Sequence, residues 1–206
     1  IMHLGEHKTY RVKITRVNYD ENNYSEKEDI SVDELFTPHP GFNVEWVNFD
    51  GIHDVEMVER IGSHYGINML VLEDIVNSSQ RPKFEDYDDY VYIVLRMLKY
   101  DEAKNETESE QVSIILNHDK VLTFQEKESD DFESIRERIR KKKGKLHRSG
   151  PDFLCYSIID FIIDNYFIVL EKIGDRIDIL EEEVLGDTEE QTIQKLHSLK
   201  RDTLAI

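Results

Sequence analysis

PDFLCYSIIDFIIDNYFIVLEKIGDRIDILEEEVL, residues 151 to 185, decides the fold. Pro151 stands where the first turn of a helix begins, because its missing N–H needs no partner there, and Gly186 supplies a stop. At 1.5 Å per residue such a helix is roughly 50 Å long. Most of its circumference is apolar, yet Asp160, Asp164, Glu171, Asp175, Asp178 and Glu182 fall within a stripe roughly 60° wide. Like charges four residues apart repel, so the stripe must face water, Lys/Arg or metal ions. Near Glu182 a solvated face is an adequate reading. Asp160 and Asp164 instead sit among Ile158, Ile159, Phe161, Ile162 and Ile163, which makes Asp160 a candidate ligand. A helix this long cannot pack fully on a small domain, and its surplus must find water or another subunit.

Upstream the pattern alternates between strand and helix. Thr9 to Asn18 and Asn43 to Phe49 alternate polar and apolar residues and read as strands, with Tyr19 to Ser25 as a polar turn between them. Asp54 caps a helix that runs to Tyr65, and Gly66 separates it from a short apolar helix over Ile67 to Val76. Tyr90 to Tyr100 reads as a buried strand, and Ser109 to Leu116 with Lys120 to Gln125 as a hairpin. Ser129 to Lys143 reads as a helix that turns basic towards Gly144. Beyond the long helix, Thr188 with Gln191 forms a capping box for a last helix, which reaches Ile206 without a stop signal. The expectation is an α/β domain with a mixed sheet over residues 1–150, followed by a helical extension over 151–206.

Composition narrows the function classes. The 206 residues carry 26 Lys+Arg against 44 Asp+Glu, a net charge of −18, which disfavours nucleic acid and anionic lipid and favours cations. One cysteine, Cys155, excludes an internal disulfide and a Cys-rich zinc site and fits a reducing compartment. The opening residues have no signal-peptide core, and Asp160, Asp164 and Asn165 interrupt the longest apolar stretch, so the chain is expected to be soluble.

The second acidic candidate is Glu73-Asp74, in the last turns of its short helix, where the macrodipole disfavours negative charge. Neighbours about 100° apart cannot cage one ion, but each can give one oxygen to a hydrated hard cation such as Mg²⁺. The plainer alternative is that both pair with Arg81 or Lys83. The eight histidines are scattered and no phosphate loop, GxSxG elbow or CxxC pair is present, so no catalytic residues are expected. An Mg²⁺-dependent hydrolase around Asp160, Asp164 and Glu73 would lack a nucleophile and a general base. The basic run from Arg136 to Arg148 reads as a solvated helix end or a counter-charge to the acidic helix.

Leu70 to Asn77 leading to Gln80-Arg81-Pro82-Lys83 resembles the signature of the CorA magnesium transporters' cytoplasmic domain. So do Tyr90 to Met97, Glu108 to Leu116, Phe124 to Lys127 and Glu181 to Leu185, collinear from about Trp46 to Asp202. The resemblance implies an α/β/α sandwich with a mixed sheet, then long helices leading into a stalk helix that this chain truncates. It implies a homopentamer whose membrane helices lie outside the sequence, in the inner or plasma membrane, with this portion on the cytoplasmic side. It further implies transport of Mg²⁺, with Co²⁺ and Ni²⁺ as alternative ions, and regulatory Mg²⁺ between neighbouring subunits. On the family's pattern Asp74 matches the principal regulatory carboxylate, and Glu73 and Asp160 match an adjoining site; Asp164 is a weaker candidate on physical grounds alone. A zinc-transporting relative and a soluble Mg²⁺-dependent assembly or regulatory domain are the alternatives.

Overall fold

The computed structural model describes residues 12–127, 129, 131–185 and 190–204. Seven strands form one sheet in the order β2-β1-β3-β7-β6-β5-β4. They are β1 (Lys13–Tyr19), β2 (Tyr24–Lys27), β3 (Val44–Asp50), β4 (Lys83–Asp86), β5 (Val91–Asp101), β6 (Glu106–Leu116) and β7 (Lys120–Gln125). The helices are α1 (Val32–Leu35), α2 (Val55–Tyr65), α3 (Met69–Val76), α4 (Glu133–Arg140), α5 (Pro151–Leu185) and α6 (Glu190–Leu204). β3 and β7 run parallel, while β1 pairs antiparallel with β2 and β3, β6 with β7 and β4 with β5, so the sheet is mixed as expected.

The chain forms two compact units, one from residues up to Leu95 with Gln111–Ile159, the other from Arg96–Glu110 with the residues from Asp160 on. In the first, the α/β unit, alternate residues of each strand face opposite layers. Ile14, Val47, Phe49, Val94, Ile115, Leu122 and Phe124 meet Met57, Val58, Ile61, Val71, Leu72 and Ile75 of α2 and α3 in one core. On the opposite face Trp46 packs against Phe132, at the start of α4, with ring centroids 5.9 Å apart. The sheet is therefore covered on both sides. The second, helical unit has its own core of Leu98, Val169, Ile173, Leu180 and Leu199, with Tyr100 and Tyr166 against it.

Local chemistry explains where the pattern reading succeeded and where it failed. Asp54 caps α2 by accepting from the Met57 N–H at 3.0 Å, and Gly66 ends it in the left-handed conformation. Asp20 accepts from the N–H groups of Asn22 and Asn23 and turns the chain, but the expected turn over Tyr19 to Ser25 ends early because β2 begins at Tyr24. β2 and β4 are short edge strands with partly exposed polar residues, so neither shows a buried alternating face. The expected first strand begins at Lys13 among the described residues and extends to Tyr19. α4 starts at Glu133, not Ser129, and stops at Arg140, where Lys142 and Gly144 both take positive φ. The capping box at Thr188 lies outside the described residues.

Helix α5 is long and apolar enough to cross a membrane by length and composition alone, despite its acidic residues. Its first turns nevertheless bury Leu154, Cys155 and Ile158. Burial pushes the Cys155 thiol up to about 11, with Asp152 adding to the shift, which leaves the thiol protonated and inert.

Candidate metal centre

Helix α3 carries the first candidate pair. Asn68 caps it by accepting from the Leu70 N–H at 2.9 Å, and the Asn68 N–H donates to the Tyr90 hydroxyl at 3.0 Å. Val71, Leu72, Ile75 and Val76 are buried, which turns Met69, Leu70 and Glu73 to solvent and leaves Asp74 half-buried. The approach of α2 fixes this rotation: a Cβ added at Gly62 would lie 2.2 Å from a methyl of Leu72, so only glycine permits the contact.

The C-terminal end of α3 is held by Gln111 of β6, a residue the sequence reading passed over. Its Nε2 donates to the Asp74 backbone carbonyl at 2.9 Å, and its Oε1 accepts from the Gln80 N–H at 3.2 Å. One buried amide thus satisfies a carbonyl that the helix end leaves open and pins the loop that follows. Gln111 sits inside the recognisable Glu108 to Leu116 stretch, but nothing in one sequence separates a clamping Gln from a solvated one.

The Asp74 side chain meets Lys83, at the start of β4, with Oδ2–Nζ at 2.5 Å. The same ammonium reaches Glu85 Oε1 at 2.8 Å and lies 5.3 Å from the Tyr92 ring centroid. Burial works against the charge on Lys83, but the bonds to Asp74 and Glu85 outweigh it and raise its pKa. Lys83 likewise holds the Glu85 carboxyl below its usual value, helped by the Tyr87 hydroxyl at 2.9 Å. Asp74 therefore takes the lysine that the plainer reading offered. Glu73 does not: it is exposed and makes no ion pair among the described residues, and neither does Arg81.

The second candidates belong to the helical unit. Asp160, Asp164, Glu171, Asp175, Asp178 and Glu182 are all exposed, so the whole stripe faces solvent, including the part set among apolar neighbours. The cations of this helix serve other carboxylates. Lys172 pairs with Glu102 at 3.0 Å, and the buried Arg176 pairs with the buried Asp202 of α6. Among the described residues no three His, Cys, Asp or Glu side chains converge on one point, so Glu73-Asp74 and Asp160 each present one or two oxygens and not a complete cage. The basic run divides in two. Arg136 and Arg140 are tied to Glu26 and Glu133, and Lys141 to Glu137, while Arg138, Lys143, Lys145 and Arg148 are exposed.

The sequence model of a family described as CorA-like Mg²⁺ transporter protein matches residues 43–206. The chain belongs to this family. Its CorA-family character extends beyond the matched segment, since the cobalt/magnesium transport protein CorA of Thermotoga maritima is 45% identical over 194 residues, 94% of this chain and 55% of that protein. A putative metal ion transporter of Bacillus subtilis, YfjQ, is 31% identical over 159 residues, 77% of this chain and 48% of that one. The CorA-family chain thus spans about half the length of these curated relatives. In fold it is similar to the soluble domain of CorA from Methanocaldococcus jannaschii, with a TM-score of 0.71 at 17% identity, covering 93% of this chain and 72% of that one. The ZntB cytoplasmic domain from Vibrio parahaemolyticus is more distant, with a TM-score of 0.56 at 16% identity over 94% of this chain and 75% of that one.

Proposed function

We propose that this chain is the cytoplasmic, divalent-cation-sensing portion of a pentameric Mg²⁺ transporter that also passes Co²⁺ and Ni²⁺. Its membrane helices would follow in the longer protein. Mg²⁺ bound between acidic faces of neighbouring subunits would offset their repulsion and favour a closed state, and loss of Mg²⁺ would release it. Asp74 is the principal ligand, Glu73 and Asp160 serve an adjoining site, and Asp164 contributes less.

The observation that carries this reading is the setting of α3 in a CorA-family fold. Its end presents an exposed Glu73 without an ion pair among the described residues, and beside it an Asp74 that shares one lysine with Glu85. A carboxylate sharing its counter-charge keeps oxygen lone pairs for a hydrated hard cation, the habit of Mg²⁺. The ligand count also supports a site between copies, since one chain supplies only part of a cage among its described residues. A ligand can shift a two-state equilibrium only by its differential affinity, and several weak intersubunit sites add to a few kcal/mol.

The test is a titration of the chain with MgCl₂ against KCl at matched ionic strength, followed by unfolding midpoint and sedimentation. Mg²⁺ should raise the midpoint or promote self-association, and Asp74→Ala and Asp160→Ala should weaken the response. Equal responses to both salts would leave a structural assembly domain. Transport itself is tested on the full-length protein in liposomes, by divalent-cation uptake and its inhibition by Mg²⁺ on the cytoplasmic side.

A further inference from the structure

The sheet face beneath α4 carries a chain of buried hydrogen bonds with one gap. Trp46 Nε1 donates to Thr123 Oγ1 at 3.0 Å, Thr123 donates to Asn48 Oδ1 at 2.6 Å, and Asn48 Nδ2 donates to Asp50 Oδ1 at 2.8 Å. Asp50 is 3% exposed. Its register neighbour on the parallel strand β7 is Gln125, two residues beyond the Asn48–Thr123 rung, so the two side chains leave the sheet on the same face.

Gln125 is fully buried, and its amide orientation is determined. Its Nε2 donates to Ser129 Oγ at 3.0 Å and to Asp131 Oδ2 at 3.2 Å, and a carboxylate there demands the nitrogen. Gln125 Oε1 is then a buried acceptor with no hydrogen-bond partner among the described residues. Such an atom costs about 1–3 kcal/mol of unrecovered desolvation. An ionised Asp50 only accepts and cannot fill the gap; a protonated one can.

We infer that Asp50 is held as a neutral carboxylic acid that donates to Gln125 Oε1, making the ends of β3 and β7 a proton-binding site. The charged groups facing it come from three sides. Lys13 of β1 is the register partner of Asp50 but pairs with Glu28 at 2.8 Å. Arg136 of α4 pairs with Glu26 and Glu133, each at 3.1 Å. Asp131, just before α4, opposes a second negative charge. Burial is the leading cause that moves the Asp50 carboxyl up to about 7; the Asn48 bond, Lys13 and Arg136 resist it, and Asp131 assists. Two cations so close disfavour a metal ion and leave the proton as the occupant.

The sign of the linkage follows. Between the ordinary aspartate value of 3.8 and about 7 the folded chain binds a proton that the unfolded chain has lost. Stability therefore falls as pH rises through that window, and above about 7 the loss is complete and constant. This input is independent of the divalent sites on α3 and α5, which share none of these residues.

The experiment is urea unfolding of the wild-type chain and Asp50→Asn across neutrality, with infrared detection of a protonated carboxylic acid. Asparagine keeps a donor for Gln125 and removes the charge. Its midpoint should exceed that of the wild type above neutrality, and the difference should vanish towards acid pH. Histidines titrating in the same range cancel in that difference. The wild type should show a carboxylic-acid carbonyl band below neutrality that is absent in Asp50→Asn and fades as pH rises. Parallel midpoint profiles, or a wild type without that band below neutrality, would overturn the assignment. If Asp50→Asn does not fold, the wild-type band and its pH dependence decide alone. If MgCl₂ abolishes the band at constant pH and ionic strength, a metal ion occupies the site and the proton assignment falls.

Discussion

In the α/β unit the large apolar side chains are spent on its own core: Trp46, Phe49, Tyr92, Phe124 and Phe132 are all buried, with Met69, Leu70, Phe84 and Tyr156 left outside. In the helical unit Ile163, Phe167, Ile168, Leu170, Ile177, Ile179, Val184, Ile193 and Leu196 are exposed around a core of five buried residues. The difference teaches that hydrophobicity alone does not locate a core. β-strands with period-2 patterning close on two helical layers and use up their apolar face. A helix apolar over most of its circumference has more such surface than two helices and a hairpin can cover, and the remainder stays exposed.

The sharpest way to break this contrast is a pair of identical truncations. Phe124→Ala removes a ring stacked on Phe49 at 4.6 Å and should cost about 4 kcal/mol in urea unfolding. Phe167→Ala should change stability by no more than about 0.5 kcal/mol. It should also reduce any concentration-dependent association seen in sedimentation. Equal losses from both would show that the two units bury their side chains alike.

Next in size is the ion pair that the helical unit does bury. Asp202→Asn strands Arg176 in a site where both partners are 9% exposed or less and should cost about 3 kcal/mol. Replacing both residues with apolar ones of similar volume should recover most of that loss. In the α/β unit, Thr123→Val leaves Trp46 Nε1 and Asn48 Oδ1 without their partner and should cost about 1–2 kcal/mol. Smaller still is the effect expected at the candidate metal centre. Asp74→Ala in the absence of divalent cations should stay within about 1 kcal/mol, because its partner Lys83 is partly solvated. The raised Lys83 pKa means this pair contributes fully below the ordinary lysine value and is lost as pH rises through the raised one. Lys83→Met should accordingly flatten the alkaline limb of the stability curve.

Much of this architecture was legible before any coordinates, for reasons that can be named. Pro151 and the long apolar periodicity determine α5 from its first residue to Leu185, because a helix start and a helical face are both local properties. Asp54 and Gly66 likewise delimit α2. The edge strands β2 and β4 were not legible, since each is only four residues long and none of those residues is buried. A different limit applies at the candidate centre. The last-turn position of Glu73 and Asp74 follows from helical spacing, and Lys83 could be named as a partner because it is near in sequence. That Lys83 also serves Glu85 follows once β4 is known to be a strand, since residues two apart share a face, but that Gln111 clamps the helix end from 37 residues away depends on the tertiary placement of β6.

One further consequence lies in Trp46. It is the single tryptophan of the chain, and it is 1% exposed in the α/β unit. Its emission is therefore a private optical signal of that unit, silent about the other. Far-ultraviolet circular dichroism reports both units, because α1 to α4 and the first turns of α5 lie in the α/β unit and the rest of α5 with α6 in the helical one. A dichroism change on heating that Trp46 emission does not follow would therefore belong to the helical unit. Coincident transitions would mark one cooperative block, and a gap between them would give each unit its own melting point.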